Sequence, residues 1–196
     1  MPFCRDLTRW QAIGCAAAGL VTALAAYFLS RSPATAALTG YLLFTAAAIT
    51  IVDYRSFIIP DELSLPAIPL GILASSLAGG AGLPSQPIFD SLIGAAVGGG
   101  SFYVLRAAYS RLRGFEGLGM GDVKLAAAAG AWVGLEGLPT VLILATAGAV
   151  AAVLFAQARG TDQAISRTTP IPFGSFLAPA LWLVWSYFAV IEGSGG

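Results

Sequence analysis

Ala36-Ala-Leu-Thr-Gly-Tyr-Leu-Leu-Phe-Thr-Ala-Ala-Ala-Ile-Thr-Ile-Val-Asp53 carries no charge until its last residue. A helical span takes about 20 apolar residues, fewer where flanking side chains snorkel. Ala36 to Val52 therefore reads as a membrane helix with a carboxylate at its end. The pattern recurs on both sides, at Ala12 to Leu29, Leu63 to Ala78, Ile88 to Ala108, Val123 to Leu135, Leu138 to Ala156 and Phe173 to Ile191. The predicted fold is all-α, a polytopic transmembrane helix bundle of about seven spans forming one domain over residues 1–196. Composition agrees: 57% of the 196 residues are hydrophobic and 10% charged, against roughly 25% charged in soluble domains. Val123 to Leu135 is the shortest stretch, too short to cross unaided.

Short cytoplasmic loops retain Lys and Arg during insertion. With the N-terminus inside, Arg5, Arg9, Arg55, Arg106, Arg111, Arg113, Lys124, Arg159 and Arg167 are cytoplasmic, and Arg31 alone lies outside. The exterior loops, Gly79 to Pro87, Glu136 and the tail from Glu192, are then uncharged or acidic. Arg5 and Arg9 followed by an apolar stretch and the small residues Ser32 to Ala36 also have the outline of a secretory signal. That stretch is longer than the roughly 7–15 residues of a usual signal core, so a first span is expected instead. Gly94 and Gly98 form a small-xxx-small pair for close helix packing.

Ten cationic and ten acidic residues give a formal net charge of zero, which leaves no basic face to neutralise a run of phosphates, so nucleic acid is excluded as a partner. The absence of histidine removes serine and cysteine triads, imidazole bases and His-ligated zinc. Cys4 and Cys15 are too few for a tetrahedral thiolate site and read as free thiols, Cys15 within a helix. Proton chemistry falls to carboxylates, Lys, Tyr or Cys.

Ionisable residues at membrane depth are costly, so each is a site hypothesis. Asp53 ends the second span; Asp122 opens the fifth in Gly117-Leu-Gly-Met-Gly-Asp-Val-Lys124. Both are expected at the cytoplasmic edge. Two facing carboxyls cannot both ionise cheaply, so one keeps a proton while the other can deprotonate a water held between them. That chemistry hydrolyses a peptide bond without histidine, metal or covalent intermediate. Gly119 and Gly121 would let a substrate backbone lie beside Asp122, and the plainer reading makes Gly121-Asp122 a helix N-cap. Pro60 stops helix continuation, and Asp61 is expected to cap the third span, with Glu62 in its first turn. Lys124, two residues from Asp122, points to a different helix face and is a poor partner for it. Asp90 is expected at the outer interface, and Asp6, Glu116, Glu136, Asp162 and Glu192 in solvent. A transporter or cation channel would place such carboxylates near mid-bilayer, and a scaffold subunit would need neither motif.

Three ordered strings resemble one family: Asp53 followed by Ile59-Pro60-Asp61-Glu62-Leu63, Gly119-Met120-Gly121-Asp122, and Pro172-Phe173-Gly174-Ser175-Phe176-Leu177-Ala178-Pro179. Together, over about Ala36 to Val190, they resemble the type IV prepilin peptidases, aspartic proteases with a Gly-x-Gly-Asp motif. The resemblance implies that Asp53 and Asp122 are the catalytic pair. Pro60, Asp61, Gly119, Gly121, Lys124, Pro172, Phe173 and Gly174 are then the motif positions that support the pair or the substrate. It implies partners in the lipid bilayer and in a prepilin or pseudopilin, whose basic leader is cut at the cytoplasmic face of the inner membrane, with Glu62 and Glu116 placed to attract that leader. No metal and no cofactor are implied for the cleavage. An intramembrane Gly-x-Gly-Asp protease of the signal peptide peptidase kind would need a deeper pair. Longer relatives carry two Cys-x-x-Cys pairs binding zinc and also methylate the new terminus. With only Met1 to Gln11 before the first span, cleavage without methylation is expected here.

Overall fold

The computed structural model describes residues 14, 15, 17–24, 33–78, 88–113, 117–158 and 172–189, and among them every regular element is helical. Helix α1 covers the described residues between 14 and 24. It is followed by α2 (Pro33–Ser56), α3 (Asp61–Ala78), α4 (Ile88–Arg113), α5 (Met120–Ala158) and α6 (Gly174–Tyr187). Among the described residues, three stretches are long and apolar enough to cross a membrane: Ala36–Ser56, Ile88–Leu112 and Met120–Ala158. The expected first span is described only from 14 to 24, and Cys4, Asp6, Glu116, Asp162 and Glu192 lie outside the described residues.

The two spans expected at Val123 to Leu135 and Leu138 to Ala156 form one helical element interrupted at Gly134, whose φ of 66° and ψ of −173° are not helical. The chain reverses there. Beyond the break, a Cβ on Gly137 would lie 3.0 Å from the Phe188 ring near the end of α6, whereas one on Gly148 would lie 3.3 Å from Phe176 near its start. The second leg thus returns toward the end from which α5 set out. Left-handed φ is inexpensive only for glycine. The new leg starts with a free N–H at Leu135, which Asp90 Oδ1 accepts at 3.4 Å. Asp90, expected as an interfacial residue, therefore serves this corner.

In lipid, apolar side chains gain little by leaving one apolar surface for another, so close backbone packing drives helix association. The α4–α5 seam is built that way. A Cβ on Gly130 would collide with the Gly94 carbonyl, and one on Gly98 with the Ala126 carbonyl. The small-xxx-small pair expected in α4 is the packing stripe. Deeper in the core, Trp132 is 1% exposed. Its indole N–H donates to the Ala67 carbonyl of α3 at 2.8 Å, its ring meets the Trp185 edge at 4.9 Å and stacks on Tyr41 of α2. One side chain on the first leg of α5 thereby joins α2, α3 and α6.

One end of this bundle holds Asp53, the starts of α3, α5 and α6, and the cations Arg55, Arg106, Arg111 and Lys124; Asp90 and Glu136 are at the opposite end. Between α2 and α3, Phe57 adopts φ 54°, the one non-glycine residue with positive φ among the described residues. Its N–H donates to the Asp53 carbonyl at 2.9 Å. A left-handed non-glycine residue costs on the order of 1 kcal/mol or more. The turn it makes sends Ile59 inward.

Candidate active site

Asp53 sits on the last turn of α2 and is 4% exposed. A buried carboxylate needs donors, and α6 supplies them. Ser175, second residue of that helix, donates its backbone N–H to Asp53 Oδ2 at 2.7 Å and its hydroxyl to the same oxygen at 3.1 Å. The first turn of a helix has unused N–H groups and partial positive charge. Phe173, the residue flanking α6, makes no side-chain cap, so Asp53 from another helix fills that role. Gly174 permits the approach, because a Cβ there would lie 3.0 Å from Asp53 Oδ2 and 2.6 Å from Ile59 Cδ1. Phe173 itself packs on Phe102 of α4, ring centroids 6.1 Å apart.

Asp122 lies in the first turn of α5, which begins at Met120. It is not the N-cap. Its carboxylate reaches back to the Gly119 N–H, the second half of a capping box, and its Oδ1 is buried without a partner among the described residues. Arg106 of α4 holds the approach to this turn through Nε to the Leu118 carbonyl at 3.1 Å. A Cβ on Gly121 would lie 2.7 Å from Ile59 Cβ. The glycine before Asp122 and the glycine beside Asp53 thus both press on one isoleucine.

Of the positions singled out in the sequence, Asp53, Asp122, Gly119, Gly121, Phe173 and Gly174 gather at this point, with Pro172 leading into α6 and Pro60 into α3. Asp61 and Lys124 do not join the pair. Pro60 flanks α3, accepting from the Leu63 and Ser64 N–H groups, so Asp61 is the first helical residue rather than the cap. Its carboxylate takes Lys124 Nζ at 2.6 Å, tying the first turns of α3 and α5 together at the rim. Glu62 is exposed in the same turn. Sequence reasoning assigned no role to Ser175, Ile59 or Thr50, whose carbonyl accepts the Ser175 hydroxyl at 3.2 Å. A serine in the first turn of a helix that lacks its own cap, and an apolar residue directly before a proline, were the available signals for the first two.

The profile of the type IV leader peptidase family matches residues 40–157. The chain belongs to that family. Those residues include Asp53, Ile59 and Asp122, while Ser175 lies beyond them. Relatives named prepilin leader peptidase/N-methyltransferase include one from Xanthomonas campestris pv. campestris, 42% identical over 70% of this chain and 45% of the relative. Another from Aeromonas salmonicida is 37% identical over 85% of this chain and 56% of its own length, and one from Neisseria gonorrhoeae is 34% identical over 75% and 48%. The chain spans about half the length of these relatives. No solved structure matches it. The apolar helices and the leader peptidase family membership mark an integral membrane protein.

Proposed function

We propose that this chain is a membrane aspartic endopeptidase that removes the basic leader of type IV prepilin-like or pseudopilin precursors, with Asp53 and Asp122 sharing the hydrolytic water. The observation that carries the reading is the meeting of two glycines on Ile59, Gly121 next to Asp122 and Gly174 against the Asp53 carboxylate, although the two acids are 69 positions apart in sequence. One carboxylate takes a proton from the water as the water oxygen attacks the scissile carbonyl, while the other carboxyl gives its proton to the carbonyl oxygen; the first then passes the proton it took to the leaving amine as the C–N bond breaks, and the second recovers its proton from a hydroxyl of the tetrahedral intermediate as the new carboxyl forms. The Ser175 donors, both on Asp53 Oδ2, hold one carboxyl in a fixed orientation and leave its Oδ1 for the water. Family membership and the names of the relatives support leader cleavage as the reaction.

The face follows from charge. Arg55, Arg106, Arg111 and Lys124 share the end of the bundle that carries the pair, and Lys and Arg stay on the cytoplasmic side. The proposed topology has seven spans, an internal N-terminus, and the site at the cytoplasmic edge of the inner membrane. Asp53→Asn and Asp122→Asn, assayed separately on a prepilin peptide in liposomes, are each expected to abolish cutting with the thermal transition retained. Cleavage by either folded variant removes that residue from the pair.

A further inference from the structure

One face of α4 grips the segment that leads into Asp122. Phe102, Arg106 and Tyr109 follow one another at helical spacing, so they share that face. Phe102 packs on Phe173 at the entry to α6. Arg106 donates Nε to the Leu118 carbonyl at 3.1 Å. The Tyr109 ring covers Gly117, where a Cβ would strike it. A cation that only marked the inner face would stand in water, as the exposed Arg111 does. Arg106 is half-buried instead and commits a donor to a backbone carbonyl 12 positions away.

The carbonyl that Arg106 holds belongs to the same peptide unit as the Gly119 N–H. In a planar trans peptide the two groups point in opposite directions. The N–H side of this unit meets the Asp122 carboxylate, and a Cβ on Gly119 would lie 3.3 Å from Asp122 Oδ2. Resting on the peptidase reading, we infer that Arg106 is a positioning residue for the Asp122 carboxyl, acting through the Leu118–Gly119 peptide. Asp122 Oδ1 is buried without a partner among the described residues, so the orientation of this carboxyl depends on what holds Oδ2. Glycine lets the unit turn over at low cost, which would present the Leu118 carbonyl to the carboxylate in place of the N–H. The guanidinium opposes that turn, because it is always charged and binds the carbonyl from the other side. Hydrogen bonds in series through one amide also polarise each other, which strengthens the Gly119 donor. Asp53 has Ser175 for this task; Asp122 has a peptide fixed from α4.

Arg106→Met keeps the apolar stem and removes the cationic donor. In steady-state cleavage of a prepilin peptide by the full chain in liposomes, kcat is expected to fall about tenfold, the low end for loss of a bond to a charged group. KM and the thermal transition should stay near wild type. Arg106→Lys, which keeps a cationic donor, should recover most of kcat, and Arg106→Gln, which keeps only a neutral one, should recover less. A second readout needs no cleavage. Carbonyl-13C leucine with 15N glycine selects two peptide units, Leu70–Gly71 and Leu118–Gly119, and Leu118→Ile identifies the second. The Gly119 amide proton should move upfield in Arg106→Met, and by less once Asp122→Asn has removed the carboxylate. Wild-type kcat in folded Arg106→Met, a change confined to KM, a loss of rate that only follows a lowered thermal transition, or equal shifts with and without the Asp122 carboxylate would each overturn the inference. If Arg106→Met does not fold, the lysine and glutamine variants carry the same comparison. An Asp122→Asn variant that still cleaves defeats the peptidase reading instead, and the Gly119 resonance reports the link from Arg106 to Asp122 independently of that result.

Discussion

Ser175→Ala is the most informative change because it deletes one interaction and leaves its neighbours. Asp53 Oδ2 accepts two donors from Ser175, the backbone N–H at 2.7 Å and the hydroxyl at 3.1 Å. Alanine removes only the second. The hydroxyl has a single proton, and the Thr50 carbonyl competes for it at 3.2 Å. The low end of the range for a bond to a charged group therefore applies, about 1.5 kcal/mol. If that bond holds Asp53 in its reactive orientation, the loss falls on the chemical step and kcat drops about tenfold. KM should not move, since Ser175 is 8% exposed and buried behind Asp53. The start of α6 survives, because the Phe176 and Leu177 N–H groups still donate to the Phe173 carbonyl at 3.0 Å. The assay is steady-state cleavage of a prepilin peptide, with Asp53→Asn as the floor and thermal melting as the folding control. Wild-type kcat in folded Ser175→Ala, or a change confined to KM, would refute the claim that α6 orients the carboxylate.

Two further changes probe the frame around the site. Gly130→Ala drives a Cβ into the Gly94 carbonyl, where backbone must move on both helices; a loss of about 3 kcal/mol, seen as a lowered thermal transition in detergent, is expected, and an unchanged transition would mean that the α4–α5 seam is not closely packed. Lys124→Met breaks a pair whose side chains are 28% and 57% exposed, so stability should change by less than about 1 kcal/mol. Its effect on cleavage should be reversed by exchanging the charges in Asp61→Lys/Lys124→Asp, and failure of that exchange to restore the rate would dissociate the tie from the site.

The apolar runs and the two acids that end or begin them are local properties, and the sequence carried them. A bilayer excludes unpaired backbone groups and unpaired charge, so uncharged runs of this length read as helices without knowledge of their neighbours. The all-helical class, the charge asymmetry between the two ends, the packing glycines of α4 and the candidacy of Asp53 and Asp122 all follow from composition along one dimension. The reversal was half legible, since a break was expected between Leu135 and Leu138 but not the conformation of Gly134 that makes it.

What tertiary structure decided is which groups touch. Ser175 reaches Asp53 across 122 positions and Lys124 reaches Asp61 across 63. Asp61, read as a cap, became an ion-pair partner because Pro60 took the flanking place. Asp122, read as a cap, turned back on Gly119. Ile59 acquired its role when two glycines from different helices closed on it. Hydropathy records how far a residue lies from water, but not which face of its helix meets which neighbour; the rotation and depth of each helix are set by packing between helices. Only the folded bundle could therefore bring the glycine before Asp122 and the glycine beside Asp53 onto one isoleucine.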